Sequence, residues 1–262
     1  MTLHASDIRH SIGRKTILDG IDLTAQAGAV TAIVGPNGSG KTTLLRILTG
    51  EERARGTVTL NGTPVSTANA PRLAAMRGVL PQSSRIAFPF KVAEVVRIGL
   101  QSGPHGRQDT LADRALEAVG LDGFADRFYQ ELSGGEQQRV QLARVLAQVW
   151  QPVLNRAPCW LFLDEPVASL DIGHQLGIMQ LARDYAVRGG GVIAVMHDLN
   201  LTAMFADLIA VMKAGRIIAH GPPGTVMTDA ILSDAYGCPL RTSTPPPRGM
   251  RYVLPQSAGR VV

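Results

Sequence analysis

An apolar run, Ala29 to Val34, ends in Gly35-Pro36-Asn37-Gly38-Ser39-Gly40-Lys41-Thr42. Lys41 to Leu48 then reads as a helix, with Gly50 placed to end it. The loop fits G-x-x-x-x-G-K-[ST] in full and lies between a strand and a helix, the context that gives the pattern its meaning. Its glycines let successive backbone N–H groups curl around phosphates, and the helix N-terminus adds its positive end. Lys41 can reach β- and γ-phosphates, the Thr42 hydroxyl can ligate Mg2+, and Thr43 completes the stretch assigned to nucleotide contact.

The remaining chain must supply a frame for this loop. Its 262 residues suffice for one large α/β domain, with or without small inserted lobes. A 45% hydrophobic and 18% charged composition suits a sizeable buried core. Gly56 to Leu60 followed by Asn61-Gly62 predicts a strand and tight hairpin, part of a small antiparallel sheet on the N-terminal side. Val92 to Leu100 and Thr110 to Val119 have helical periodicity, with a polar loop, Gln101 to Asp109, between them. A third helix starts near Ser133, which makes this section a helical lobe. Strand Trp160 to Leu163, helix Gln175 to Val187, strand Val192 to Met196, helix Leu199 to Ala206 and hairpin Leu208 to Ala219 follow. Such alternation implies a mostly parallel sheet. Gln151 to Pro158 reads as an irregular surface loop, and residues 241–262, with Pro245-Pro246-Pro247, as a tail.

No segment has the roughly 18 uninterrupted apolar residues of a membrane helix; Gly191 to Met212 is broken by His197, Asp198, Asn200 and Asp207. The first residues lack a signal-peptide pattern, so the chain is expected in the cytoplasm. Cys159 and Cys238 have no metal-ligand spacing and read as plain thiols. The net charge of +5 comes with scattered arginines and only 5% aromatics. That favours proximity to an acidic membrane surface over nucleic acid as a partner.

Two further segments carry chemistry. Leu161-Phe162-Leu163-Asp164-Glu165 is an apolar strand ending in two carboxylates, and the carboxyl end of such a strand faces the ligand crevice. Asp164 is placed to hold Mg2+ through water, and Glu165 to orient and deprotonate an attacking water. Leu132-Ser133-Gly134-Gly135-Glu136-Gln137-Gln138 begins as a capping box. Its two glycines cost the helix about 1 kcal/mol each against alanine, which makes sense if another body approaches the backbone closely. A helix N-terminus bearing a serine hydroxyl is an anion site. Since the chain already has a phosphate loop, this second site is most economically used on a partner's nucleotide.

Together these motifs resemble the ATP-binding-cassette ATPases, over about Leu3 to Pro239. The resemblance implies an α/β fold: a P-loop NTPase core of RecA type, an N-terminal antiparallel β subdomain and an inserted α-helical subdomain at about 88–150. The ATP-binding domain would span 1–240 and the tail 241–262. ATP and Mg2+ are the implied cofactors, in a head-to-tail homodimer that sandwiches each ATP between one subunit's phosphate loop and the other's Ser133, Gly134 and Gly135. Gln82, in Leu80-Pro81-Gln82, matches the glutamine that senses Mg2+, the attacking water and the transport partner. Ala168-Ser169-Leu170-Asp171 matches the loop that crosses the dimer interface, and His197 the switch histidine at the γ-phosphate. Where family members stack adenine on an aromatic, this chain has His10-Ser11-Ile12-Gly13. Ile12 offers apolar contact without π-stacking, and His10 is the alternative ring.

Phe88-Pro89-Phe90, then Val92 to Val96 and Gly99, resemble the importers of metal chelates (ferric siderophores, haem and cobalamin), in which this segment forms part of the surface that grips the permease. Ala143 to Gln148, Met196-His197-Asp198-Leu199-Asn200, Ser233 to Cys238 and Val253 to Gln256 are similar to the haemin importer ATPases. The partners so implied are two transmembrane permease subunits and, through them, a periplasmic haem-binding protein, at the cytoplasmic face of the inner membrane. The six histidines show no pocket pattern for haem itself. A soluble cassette ATPase acting on DNA or ribosomes would carry coiled-coil inserts, zinc knuckles or a second cassette, and a GTPase would carry Asn-Lys-x-Asp; this chain has none of these.

Overall fold

The computed structural model describes residues 1–83, 86, 88–104 and 110–258. The chain opens with a long hairpin, β1 (Thr2–Ile12) and β2 (Lys15–Gln26), in which buried and exposed residues largely alternate, as in a sheet covered on one face. β3 (Val30–Val34) is buried throughout and leads into α1 (Lys41–Thr49), which Gly50 closes at φ 76°. β4 (Arg55–Leu60) and β5 (Thr63–Pro64) pair across Asn61-Gly62, both at positive φ, the turn that Asn-Gly favours. These strands form an antiparallel sheet in the order β2-β1-β4-β5. α2 (Ala70–Ala74) leads to β6 (Arg77–Leu80).

α3 (Val92–Ser102), α4 (Thr110–Ala118) and α5 (Gly134–Gln148) pack on one another. α3 takes in Gln101 and Ser102, two residues of the expected polar loop, and the Ser102 hydroxyl donates to Ile98 O at 2.9 Å. Residues 105–109 of that loop lie outside the described residues. The expected surface loop at Gln151 to Pro158 instead contains a minimal hairpin, β7 (Val153–Leu154) and β8 (Ala157–Pro158), around Asn155 and Arg156 at positive φ. Arginine is not a residue that advertises this conformation, so the turn was hidden.

β9 (Trp160–Asp164), α6 (Ile172–Val187), β10 (Gly191–Val195), α7 (Leu199–Phe205), β11 (Leu208–Lys213), β12 (Arg216–Gly221), α8 (Pro223–Val226) and α9 (Asp229–Tyr236) complete the elements. The main sheet runs β12-β11-β3-β10-β9-β6, and every neighbouring pair is parallel except β12 with β11. Both its faces are covered, which explains the wholly buried β3, β9 and β10. Trp160, Phe162, Ile33 and Ile193 pack with Leu44 and Leu48 of α1 on one face. Leu161, Leu163 and Ala194 pack with α5 and α6 residues on the other. Each large side chain so buried stabilises the fold by about 1.5–3 kcal/mol. The tail is partly docked: Pro255 is buried, and Gln256 Nε2 donates to Asn200 O of α7 at 3.2 Å.

Candidate active site

Topology gathers the site. β3, β10, β9 and β6 are consecutive in the sheet and parallel, so their carboxyl ends lie along one edge. Those ends carry, in that order, the 35–42 loop, His197, Asp164-Glu165 and Gln82. The crevice at such an edge is where open α/β sheets bind ligands. An open cleft of about 650 Å³ lies there, lined by Asn37, Gly38, Gly40, Lys41, Thr42, Thr43, Gln82, Glu165 and His197.

Gly35, Gly38 and Gly40 of the loop all have positive φ, and at two of them a side chain would also clash. Gly35 has φ 148°, and a Cβ there would stand 2.2 Å from Met212 O. Gly40 caps α1 at φ 100°, and its Cβ would press to 2.7 Å from Leu18. Pro36 and Ser39 build the same turn: Ser39 N–H donates to Pro36 O at 3.2 Å. Lys41 is buried, and its Nζ donates to Gly35 O (2.8 Å) and Pro36 O (3.1 Å). Burial pulls its ammonium below the ordinary pKa, against the upward pull of Glu165 and Asp164.

The residues fit a nucleotide with its metal. The Ser39 hydroxyl is buried without a hydrogen-bond partner among the described residues. Thr42 Oγ1 donates to Asp164 Oδ1 at 3.3 Å, which places two hard oxygen ligands side by side, the donor set Mg2+ takes. Burial raises the Asp164 carboxyl above the usual carboxylate range, while the Thr42 hydroxyl opposes the rise. An anion beside Lys41 and a cation beside Asp164 would each favour the charged form that burial disfavours.

Glu165 is the focus of the cleft. Gln82 Nε2 donates to its Oε1 at 2.9 Å, and His197 Nε2 lies 2.6 Å from the same oxygen. A carboxylate only accepts, so this contact calls for the Nε2–H form of the imidazole. The three residues expected to act together therefore meet at one atom.

The other expected residues stand elsewhere on this chain. Ser133 caps α5 as foreseen, accepting from Glu136 N at 3.3 Å, while Glu136 Oε2 accepts from Ser133 N (2.8 Å) and Oγ (2.7 Å). A Cβ on Gly135 would meet Ser169 O and Leu170 at 3.2 Å, whereas one on Gly134 would meet nothing within 4 Å. Asp171 caps α6 by accepting from His174 N at 2.9 Å, which starts that helix at Ile172 rather than at Gln175. None of Ser133, Gly134, Gly135 and Asp171 lines the phosphate-loop cleft.

Lys15 and Ile17 line the cleft too, although no motif marks them. Their signal was the i, i+2 spacing on β2, which puts both on one face. His10, the alternative ring for adenine, does not line the cleft. Its Nδ1 lies 3.0 Å from Arg53 O and its Nε2 3.5 Å from Glu52, with the side chain almost covered. Ile12, opposite Lys15 in the hairpin, is 62% exposed.

Comparison with known proteins agrees with this geometry. The chain is 61% identical over 261 residues to the hemin import ATP-binding protein HmuV of Roseobacter denitrificans, covering all of both chains. It is 56% identical to the protein of the same name from Rhizobium meliloti, covering 98% of this chain and 99% of that one. An ATP-binding cassette of an ABC transporter, solved in its ADP conformation, superposes with a TM-score of 0.75 at 26% identity, covering 90% of this chain and 98% of that one. The profile described as ABC transporter matches residues 18–168. On this match and these identities, the chain belongs to the ABC transporter family.

Proposed function

We propose that this chain is the ATP-hydrolysing, energy-coupling subunit of an import complex that carries hemin across the inner membrane. The convergence of Gln82 and His197 on Glu165 Oε1, beside a complete phosphate loop, carries the catalytic part of this reading. The full-length relatives named for hemin import support the cargo. The backbone N–H groups of residues 35–43 and Lys41 hold the phosphates. Thr42 and Asp164 hold Mg2+, with Gln82 next to them, and the metal when bound neutralises charge on the phosphate oxygens. Glu165 takes the proton of the attacking water, while His197 and Gln82 fix the carboxylate that does so.

The site is completed by a second copy of the chain. Ser133, Gly134 and Gly135 meet the partner's γ-phosphate, and Asp171 lies at the same head-to-tail interface. Open space at Gly134 supports this, since nothing within the chain asks for a glycine there. Gly134→Ala should therefore hold or raise the Tm, because alanine favours a helix by up to about 1 kcal/mol. ATP-driven pairing should weaken by about 5- to 150-fold, as overpacking by about 1–3 kcal/mol predicts, and Ser133→Arg should abolish it. Light scattering of the ATP-loaded chains checks this, and undiminished pairing of both variants would remove the cross-subunit site.

No helix among the described residues is long and apolar enough to cross a membrane. A peripheral position at the cytoplasmic face, docked on two permease subunits, accounts for the exposed Phe88 and Phe128; Phe128 lines a shallow groove with Pro89, Gln130 and Glu131. A periplasmic hemin-binding protein supplies the permease from the other side. ATP turnover and uptake by the assembled complex in liposomes test the cargo. Hemin on the delivery protein should stimulate both, and stimulation by a cobalamin or ferric siderophore carrier instead would move the cargo and leave the ATPase reading in place.

A further inference from the structure

His197 and Gln82 account for the Glu165 side chain, but not for its backbone. Glu165 has φ 53°, a left-handed conformation that costs a non-glycine residue about 1–2 kcal/mol. Such a residue persists only where its neighbours hold it. Its N–H donates to Val195 O of β10 at 3.1 Å. Its carbonyl accepts from Ala168 N at 3.3 Å and, more closely, from Gln138 Nε2 at 2.9 Å. Gln138 lies on α5, one turn beyond Gly134. The amide orientation follows from this contact, since the reversed amide would set two carbonyl oxygens against each other. The Oε1 of Gln138 is buried and has no partner among the described residues, so Nε2 makes the one bond that gives the side chain a purpose.

α5 itself is anchored by other groups. Gln137 Nε2 donates to Tyr129 O (3.2 Å) and Leu132 O (3.1 Å), and Arg139 donates to Val119 O (3.2 Å) and Gly120 O (2.9 Å). A substitution at position 138 can therefore release Glu165 without freeing the helix.

We infer that Gln138 is a positioning residue: from the helix that faces the partner's nucleotide, it holds the main chain of the base that serves this subunit's own nucleotide. The inference rests on Glu165 being the base and on the head-to-tail arrangement proposed above. Gln138 does not line the phosphate-loop cleft. It keeps the Glu165 backbone from relaxing toward a common φ, which would swing the carboxylate away from His197 and Gln82.

Gln138→Ala should lower kcat by roughly 10–100-fold, the effect of a misplaced catalytic group, with KM for ATP and the Tm unchanged. Gln138→Glu adds a signature that a packing role would not give. Its carboxyl donates to the Glu165 carbonyl only when protonated, and burial raises its pKa. Turnover of Gln138→Glu relative to Gln138→Ala should therefore climb as pH falls from about 8 to about 6, across the range a raised carboxyl reaches. A flat ratio, or parental kcat in Gln138→Ala, would overturn the inference.

Mixed dimers locate the effect. One subunit carries Glu165→Gln, so turnover comes from the other. Gln138→Ala should slow turnover only when placed in the subunit that retains Glu165. Slowing from the opposite subunit would mean that Gln138 serves the anion site of α5, and would overturn the proposal. Failure of the subunits to pair on ATP would count against the head-to-tail arrangement alone, and the pH comparison on the uniform variants would still decide the role of Gln138.

Discussion

Glu165→Gln lowers steady-state ATP turnover by about 10³-fold, within the 10²–10⁴ range of a general base, and leaves ATP affinity near the parental value. The amide keeps the shape of the carboxylate and an acceptor oxygen for His197 Nε2, so the cleft holds its form. What it loses is the ability to take a proton from water. ATP therefore stays intact between the subunits, and the dimer that forms on ATP persists. Turnover measured together with size-exclusion chromatography in Mg-ATP checks both halves. Parental turnover would remove the base assignment, and loss of turnover with loss of binding would show a damaged cleft rather than a missing base.

Lys41→Ala weakens ATP binding by roughly 100-fold, as expected when charge-assisted bonds of about 1.5–3 kcal/mol each are removed. Lys41 now spends its protons on Gly35 O and Pro36 O, at the N-terminal end of α1. A phosphate would take over an ammonium that is already in place and only weakly satisfied by carbonyl oxygens. Its removal also takes away one of the two cations, with Arg46, that oppose the rise of the buried Asp164 carboxyl, and so pushes that carboxyl further up. Calorimetric titration with ATP measures the loss, and unchanged affinity would end the phosphate-loop reading.

The centre of the main sheet was legible because β3, β9 and β10 are each a largely apolar run that gives way to glycine or polar residues. Those stops are the site: the glycine loop after Val34, Asp164-Glu165 after Leu163, and His197 after Met196. The first hairpin was harder to delimit. Register shifts between Ala5 and Ile8, between Ile8 and Arg9, and between His10 and Ser11 break the alternation that marks a strand. Lys15 and Ile17 went unseen with it. Gln138 was read only as part of the α5 start, because its contact with Glu165 spans 27 residues and carries no local pattern. The ring of His10 suggested stacking, yet its partners Glu52 and Arg53 arrive from far along the chain.

The positive φ of Glu165 has an evolutionary corollary. Glycine would rest in that backbone conformation without strain, and asparagine or aspartate nearly so. The substitutions that would relax this position are thus ones that discard or shorten the base. Selection for a sturdier fold and selection for turnover point in opposite directions at this single codon, so a search for thermostable variants that ignores activity would drift first toward an inert pump.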